Sequence, residues 1–270
     1  MIRLAGIGLH GGAACAIELS RTDGPTKIAV GEVSATLADL VLVRGDHGVT
    51  VLVGGGGPAI DLVEHALAAV GALGLFRGVR LTIEGGEVPL LDGGARALAD
   101  ALMALEIAPS EAPLRIVAPF VVTVDGSRYE MLPGSEPAVE VDIEFPHTAI
   151  GRKSAGWNGD RDDFVTRIAP ARTFGFVADH EALVAAGRAR GVDLRSVVVF
   201  DERGVAHGAL AGDDEPARHK LLDLIGDLAL FGGPPRGLVR AHRPGHARTH
   251  TAIRRGLEVG ALVVDSPAPR

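Results

Sequence analysis

Acid–base side chains recur every four residues in Arg218-His219-Lys220-Leu221-Leu222-Asp223-Leu224-Ile225-Gly226-Asp227. On a helix, His219, Asp223 and Asp227 project from one face in successive turns. Leu221, Leu222, Leu224, Ile225 and Leu228 surround that stripe, so the helix is expected to be mostly buried. A His and an Asp one turn apart can supply two ligands to one metal ion, provided that a third ligand and an open position come from elsewhere. The commoner meaning of an arbitrary His-x-x-x-Asp is an ion pair on a helix surface.

A third ligand is offered by Val63-Glu64-His65, inside an apolar helix pattern with Leu62, Ala66, Leu67 and Val70. A Glu beside a His is costly to bury there without a partner. A metal would account for both residues, with His65 as ligand and Glu64 as the base acting on water. His65, His219 and Asp223 together are compatible with catalytic zinc and one position left for water. Arg243-Pro244-Gly245-His246 follows a strand-like run, and a loop histidine there suits proton transfer, although most loop histidines are simply exposed. In Ala171-Arg172-Thr173-Phe174-Gly175-Phe176, Thr173 could hydrogen-bond a carbonyl or serve only as a turn hydroxyl.

The elements that must position these residues fall into two alike halves. Two prolines in Ala108-Pro109-Ser110-Glu111-Ala112-Pro113 disfavour continued helix and mark a boundary. The first half has strands at Thr50–Val53 and Val79–Ile83, and helices at about Ile60–Leu73 and Ala95–Leu105. The second has strands at Leu114–Val124, Ala138–Phe145 and Leu238–Ala241. Its helices are expected near Asp162–Ile168, Pro216–Phe231 and Ala247–Leu257. Strands then helices, twice, predicts an α+β fold of two layered units, residues 1–108 and 114–270, with a small insert near 179–200. The glycine run Gly54–Gly57 lacks the Gly-Lys-Ser/Thr ending of a phosphate loop and is given no nucleotide role.

Of 270 residues, 47% are hydrophobic and 23% charged, which excludes a disordered chain. The net charge of −7 is not the electrostatic footprint of a nucleic-acid binder. One cysteine, Cys15, rules out an intrachain disulfide and makes a thiolate metal site unexpected. The apolar runs are too short to span a bilayer, and Met1–Gly6 lacks a signal peptide's apolar stretch. A cytoplasmic monomer with no nucleic-acid partner and no stable membrane insertion is the expectation.

In this order the clusters resemble the zinc-dependent UDP-3-O-acyl-N-acetylglucosamine deacetylases of lipid A biosynthesis, the LpxC family. The resemblance begins at Gly6-Ile7-Gly8-Leu9-His10-Gly11-Gly12 and passes through Val63-Glu64-His65 and Glu87-Val88-Pro89-Leu90-Leu91-Asp92-Gly93. It continues through Phe145-Pro146-His147, Ala171–Phe176, His219–Asp223 and Gly226-Asp227, and ends at Gly245-His246. It implies two similar α+β domains, each a sheet layered with helices, packed face to face as a sandwich with the active site at their interface. It implies His65, His219 and Asp223 as zinc ligands, one ion per chain, and Glu64 as the general base. It implies His246 as the acid for the leaving amine, Asp227 as the holder of its ring, and Lys220 and Thr173 as oxyanion donors. The implied partner is a nucleotide sugar. Nitrogen and oxygen ligands also accept iron(II). Arg243 and Arg128 have suitable charge for a diphosphate, and Phe145 is placed either on the uracil or in an ordinary strand core.

The chain departs from the family at several positions. Ser-Thr before Val-Glu-His is replaced by Asp61-Leu62, and Gly-Ile-Asp-Asn after that helix by Gly74-Leu75-Phe76-Arg77. In the family's Gly-Leu-x-Leu-Gly-Gly, part of an apolar passage for the acyl chain, Arg188 and Arg190 replace the two leucines. A guanidinium buried unpaired in such a passage is costly. Either these arginines turn away, or the acyl chain is shorter, absent or replaced by something anionic. Two alternatives therefore stay open: a related deacetylase of another N-acetylated nucleotide sugar, and a non-catalytic binding protein of the same fold.

Overall fold

A computed structural model describes residues 1–45, 48–207 and 209–265. The first half runs β1 (Ile2–Ile7), β2 (Ala14–Pro25), β3 (Lys27–Val30), β4 (Val33–Thr36), β5 (Val41–Arg44), β6 (Thr50–Leu52), β7 (Ala59–Ile60), α1 (Glu64–Ala72), β8 (Arg77–Glu84) and α2 (Arg96–Met103). The second opens with β9 (Leu114–Ile116), β10 (Phe120–Val124), β11 (Ser127–Leu132), β12 (Pro137–Glu144), β13 (Arg152–Trp157) and α3 (Arg161–Asp163). It continues with β14 (Thr173–Phe176), α4 (Val177–Ala185), β15 (Val197–Asp201), β16 (Gly204–His207), α5 (Glu215–Leu230), β17 (Gly237–His242), α6 (His246–Glu258) and β18 (Leu262–Val264).

The two halves repeat one topology. The first sheet has the order β1-β2-β8-β3-β4 and the second β10-β11-β17-β12-β13. In each, the last strand in sequence enters the middle, antiparallel to the second strand and parallel to the third. In each, that strand follows a buried helix, α1 or α5. Each half also carries an extra small sheet in the same place, before that helix: β5-β6-β7 in one, β14-β15-β16 in the other.

Alternation explains the layers. Val79, Leu81 and Ile83 of β8, and Val139, Val141 and Ile143 of β12, turn one face of each sheet inward. The buried helices fill the space, α1 packing directly on α5 and α5 on β12 and β13. One continuous core joins Ile17, Leu19 and Leu81 to Leu67, Val70, Leu221, Ile225, Val139 and Val239. The helices approach closely because Gly226 of α5 has no side chain: a Cβ there would lie 2.2 Å from the Glu64 carbonyl oxygen.

Several expected boundaries shift. The run 114–124 is two strands, β9 paired with β18 and β10 with β11, because Pro119 interrupts it. The helix expected near 162–168 is a single α turn continued by a π-helical turn, Phe164–Ile168, closed by Ala169 N–H donating to Phe164 O. The helix expected from Ile60 begins only at Glu64, because Leu62 adopts a left-handed φ of 60° and Asp61 bridges to Glu87.

Candidate metal centre and active site

Glu64 and His65 are thus the first two residues of α1 rather than mid-helix residues. The helix N-terminus presents them together, and its positive end favours the carboxylate. On α5 the predicted stripe holds: His219, Asp223 and Asp227 are all buried, Asp223 toward His65 of α1 and Asp227 toward the histidines of α6. His246 opens α6 rather than lying in a loop, as β17 ends just before it.

His65 Nε2 stands 3.9 Å and His219 Nε2 3.4 Å from Asp223 Oδ1. One ligand atom from each residue lies within 4.8 Å of the others. His219 Nδ1 donates to Ala171 O at 3.0 Å, which leaves Nε2 bare and aimed at Asp223. Burial, helped by His219, pushes His65 down to about 3, so its ring is neutral. Burial also lowers His219. Burial opposes ionisation of Asp223, yet Lys220, His219, His246 and His65 outweigh it and hold the carboxyl far below its ordinary range. Two neutral imidazoles and one ionised carboxylate are the donor set that a divalent transition metal takes.

Glu64 faces this cluster. Its Oε2 accepts from Val49 N–H at 2.9 Å, and its Oε1 lies 3.9 Å from His246 Nε2. Burial pushes Glu64 up to about 7. His246 Nδ1 donates to Asp227 Oδ1 at 2.8 Å. Burial works against the His246 charge, but Asp227, Asp223 and Glu64 together carry its pKa up to about 9. Lys220 Nζ donates to Asp223 Oδ2 at 2.7 Å and stands over the Phe174 ring.

Thr173 lies on the same cavity, of about 1350 Å³, which opens over Glu64, His65, His219, Lys220, Asp223 and His246. The segment carrying Thr173 is clamped to the first turn of α5. Arg172 donates to Glu215 Oε1 at 2.9 Å, Glu215 is almost fully buried, and Thr173 N–H donates to Gly93 O. Phe145 lines the cavity, in edge contact with Phe174.

None of the four arginines proposed for substrate lines the cavity. Arg243 is exposed beside the cavity wall residue Pro244. Arg128, opposite His242 on β11, is half exposed, paired with Glu130 and outside the wall. Arg188 and Arg190 are also outside it. Arg188 is buried in the field of Asp61, Glu64 and Glu87. Arg190 is exposed, its backbone N–H on His10 O. Ala189, Val192, Leu194, Val197 and Val199, with Leu9 and Leu62, form an apolar stretch of the wall, which Asp179, His180, Glu181 and Arg248 also line. Neither arginine is on that stretch: Arg190 is exposed, and Arg188 is buried behind Gly48, where a Cβ would lie 3.6 Å from its Nη2.

Sequence reasoning missed three groups of this site. Val49 N–H and Ala171 O are backbone atoms and leave no trace in residue type. His10 was seen only as part of a glycine motif, yet it lines the cavity near Glu64. A Cβ on Gly48, whose φ is +113°, would lie 3.0 Å from His10 Nε2 and 3.1 Å from Glu64 Oε1.

The sequence model of the family described as UDP-3-O-acyl N-acetylglycosamine deacetylase (LpxC) matches residues 1–257. The chain is 34% identical over 283 residues to the UDP-3-O-acyl-N-acetylglucosamine deacetylase of Myxococcus xanthus (strain DK1622), across 99% of this chain and 87% of that protein. It is 35% identical over 262 residues to the protein of that name from Brucella melitensis biotype 2, across 94% of this chain and 91% of the relative. A third, from Oleidesulfovibrio alaskensis, is 34% identical over 261 residues, across 94% and 85%. The topological repeat, the buried donor set and these full-length similarities agree, and the chain belongs to the UDP-3-O-acyl N-acetylglycosamine deacetylase family.

Proposed function

We propose that the protein is a metal-dependent hydrolase that removes the N-acetyl group of UDP-3-O-acyl-N-acetylglucosamine, a step of lipid A biosynthesis. The observation that carries this is the position of Glu64 and His246, facing each other beside the buried His65–His219–Asp223 set in a chain of this family. His65, His219 and Asp223 would hold one zinc, with iron(II) accepted by the same donors. Such an ion supplies Lewis acidity, polarising the amide carbonyl and making water more acidic.

The chain's own groups do the rest. Glu64, oriented by Val49 N–H, takes a proton from the water that attacks the amide carbonyl. Lys220 and Thr173, both on the cavity wall, stabilise the oxyanion, each worth about 3 kcal/mol. His246, its Nδ1 held by Asp227, gives its Nε2 proton to the sugar nitrogen as the C–N bond breaks, releasing acetate and the free amine. Phe145 takes the uracil ring, and Arg243 the diphosphate. The apolar stretch Ala189, Val192, Leu194, Val197 and Val199 supports an acyl chain on the substrate, and neither Arg188 nor Arg190 lines it.

Residues 1–108 and 114–270 are proposed as two domains on the strength of the repeated topology; the last five residues, 266–270, lie outside the described ones. One chain supplies every group of the site, so a monomer suffices. A UDP-sugar substrate supports a cytoplasmic location. No helix among the described residues is long and apolar enough to cross a membrane. The deciding experiment is acetate release from UDP-3-O-acyl-N-acetylglucosamine by zinc-loaded protein, with Glu64→Ala as control. Turnover lost in the variant supports the reading; no turnover by zinc-loaded wild type overturns it.

A further inference from the structure

Asp227 accepts two hydrogen bonds on one oxygen. Its Oδ1 lies 2.8 Å from His246 Nδ1 and 2.8 Å from His250 Nε2. The two histidines stand one turn apart on α6, so both reach α5 from the same helix face. His250 is buried, with its ring against Phe231 at 5.7 Å between centroids. The mechanism above gives it no part.

An ionised carboxylate only accepts. Burial opposes the charge on Asp227, but His246 and His250 outweigh it and hold the carboxyl below its ordinary range. Both histidines therefore donate, and His250 carries its proton on Nε2. Its Nδ1 is buried with no hydrogen-bond partner among the described residues. The group this pocket uses is therefore the Nε2–H aimed at Asp227.

We propose that His250 is a positioning residue for the proton donor His246, holding the Asp227 carboxylate as a fixed acceptor for His246 Nδ1. The proposal rests on the reading of His246 as that donor. The bond from His250 does not depend on the state of His246. It keeps Asp227 in one rotamer while His246 gives up and regains a proton. His246 Nε2 thereby stays directed at Glu64 and Asp223, 3.9 and 3.8 Å away.

Two variants and one spectrum test this. In His250→Gln the amide nitrogen reaches about as far as the imidazole Nε2; His250→Leu fills space without a donor. The Leu variant should lose about 10- to 100-fold in kcat, with KM changed by no more than about twofold. The Gln variant should stay within about threefold of wild type. Nitrogen-15 NMR of the zinc-loaded wild type near neutral pH should find His250 protonated on Nε2. It should also find a His246 Nδ1–H signal that the Leu variant loses and the Gln variant keeps. Wild-type kcat in the Leu variant, equal losses in both variants, or a His250 Nε2 that carries no proton would each overturn the proposal. Should the Leu variant not fold, the Gln variant's rate and the wild-type tautomer decide the matter. If wild type releases no acetate, the functional reading fails, while the two imidazole signals still report on whether His250 holds Asp227 and His246 in place.

Discussion

Glu64 Oε1 and His246 Nε2 face each other at 3.9 Å, one at the start of α1 and the other at the start of α6. They come from opposite halves of the topological repeat. Burial raises the carboxyl to about 7, and neighbouring carboxylates, against burial, raise the imidazole to about 9. In the interval between, a base and an acid coexist in one site.

A bell-shaped pH profile of kcat/KM follows. Glu64 acts deprotonated, so activity falls as pH drops through its pKa; His246 acts protonated, so activity falls as pH rises through its own. A bound dication favours the Glu64 anion and disfavours the His246 cation, so in the loaded enzyme both limbs lie below about 7 and about 9. His246→Gln should lose the alkaline limb. An unchanged alkaline limb in that variant would remove His246 from the acid role.

Glu64→Gln keeps the shape and the Val49 contact but cannot take a proton. A loss of about 10²- to 10⁴-fold in kcat is expected, with metal content unchanged by elemental analysis. Loss of metal together with activity would instead make Glu64 a structural support of the cluster.

His219→Ala removes a donor that Ala171 O holds in its binding tautomer. Metal content should fall well below one ion per chain after dialysis. Chelation of the wild type should abolish acetate release, and added zinc or iron(II) should restore it. Stoichiometric metal in the variant would point to another donor set.

Gly226→Ala places a methyl group 2.2 Å from the Glu64 carbonyl oxygen, a backbone atom that cannot rotate away. α1 and α5 must part, at a cost of about 1–3 kcal/mol. Denaturant midpoints should fall, and kcat should fall with them because Glu64 and Asp223 ride on the separated helices. Wild-type stability would mean that the helices do not meet at this distance.

Val197→Trp should block the apolar wall. Turnover of long-chain acyl substrates should drop, while that of short-chain analogues holds. Equal loss for all chain lengths would place the acyl group elsewhere. Arg188→Leu is expected to leave the chain-length profile unchanged, because its guanidinium is outside the wall.

Local spacing settled a large part of this protein. Four-residue intervals put His219, Asp223 and Asp227 on one helix face whatever that face meets, since 3.6 residues make a turn. Apolar periodicity located α1, α2, α5 and α6 to within a few residues, and the proline pair falls between α2 and β9. The motif order brought the remaining site residues in by resemblance. What escaped was set by long-range packing. Leu62's left-handed backbone, held by the Asp61–Glu87 bridge, turned a mid-helix Glu64-His65 into a helix start. Reading His246 as a loop residue hid its four-residue spacing to His250, and with it the second bond on Asp227. Arg188 and Arg190 lie in a segment without a period, where residue order does not fix side-chain direction; the fold leaves Arg190 exposed and buries Arg188 behind Gly48. Sequence determined which side chains share a face, because covalent spacing does that locally. Tertiary structure decided which faces meet, because that depends on the close approach of α1 and α5 and on the sheets that press them together.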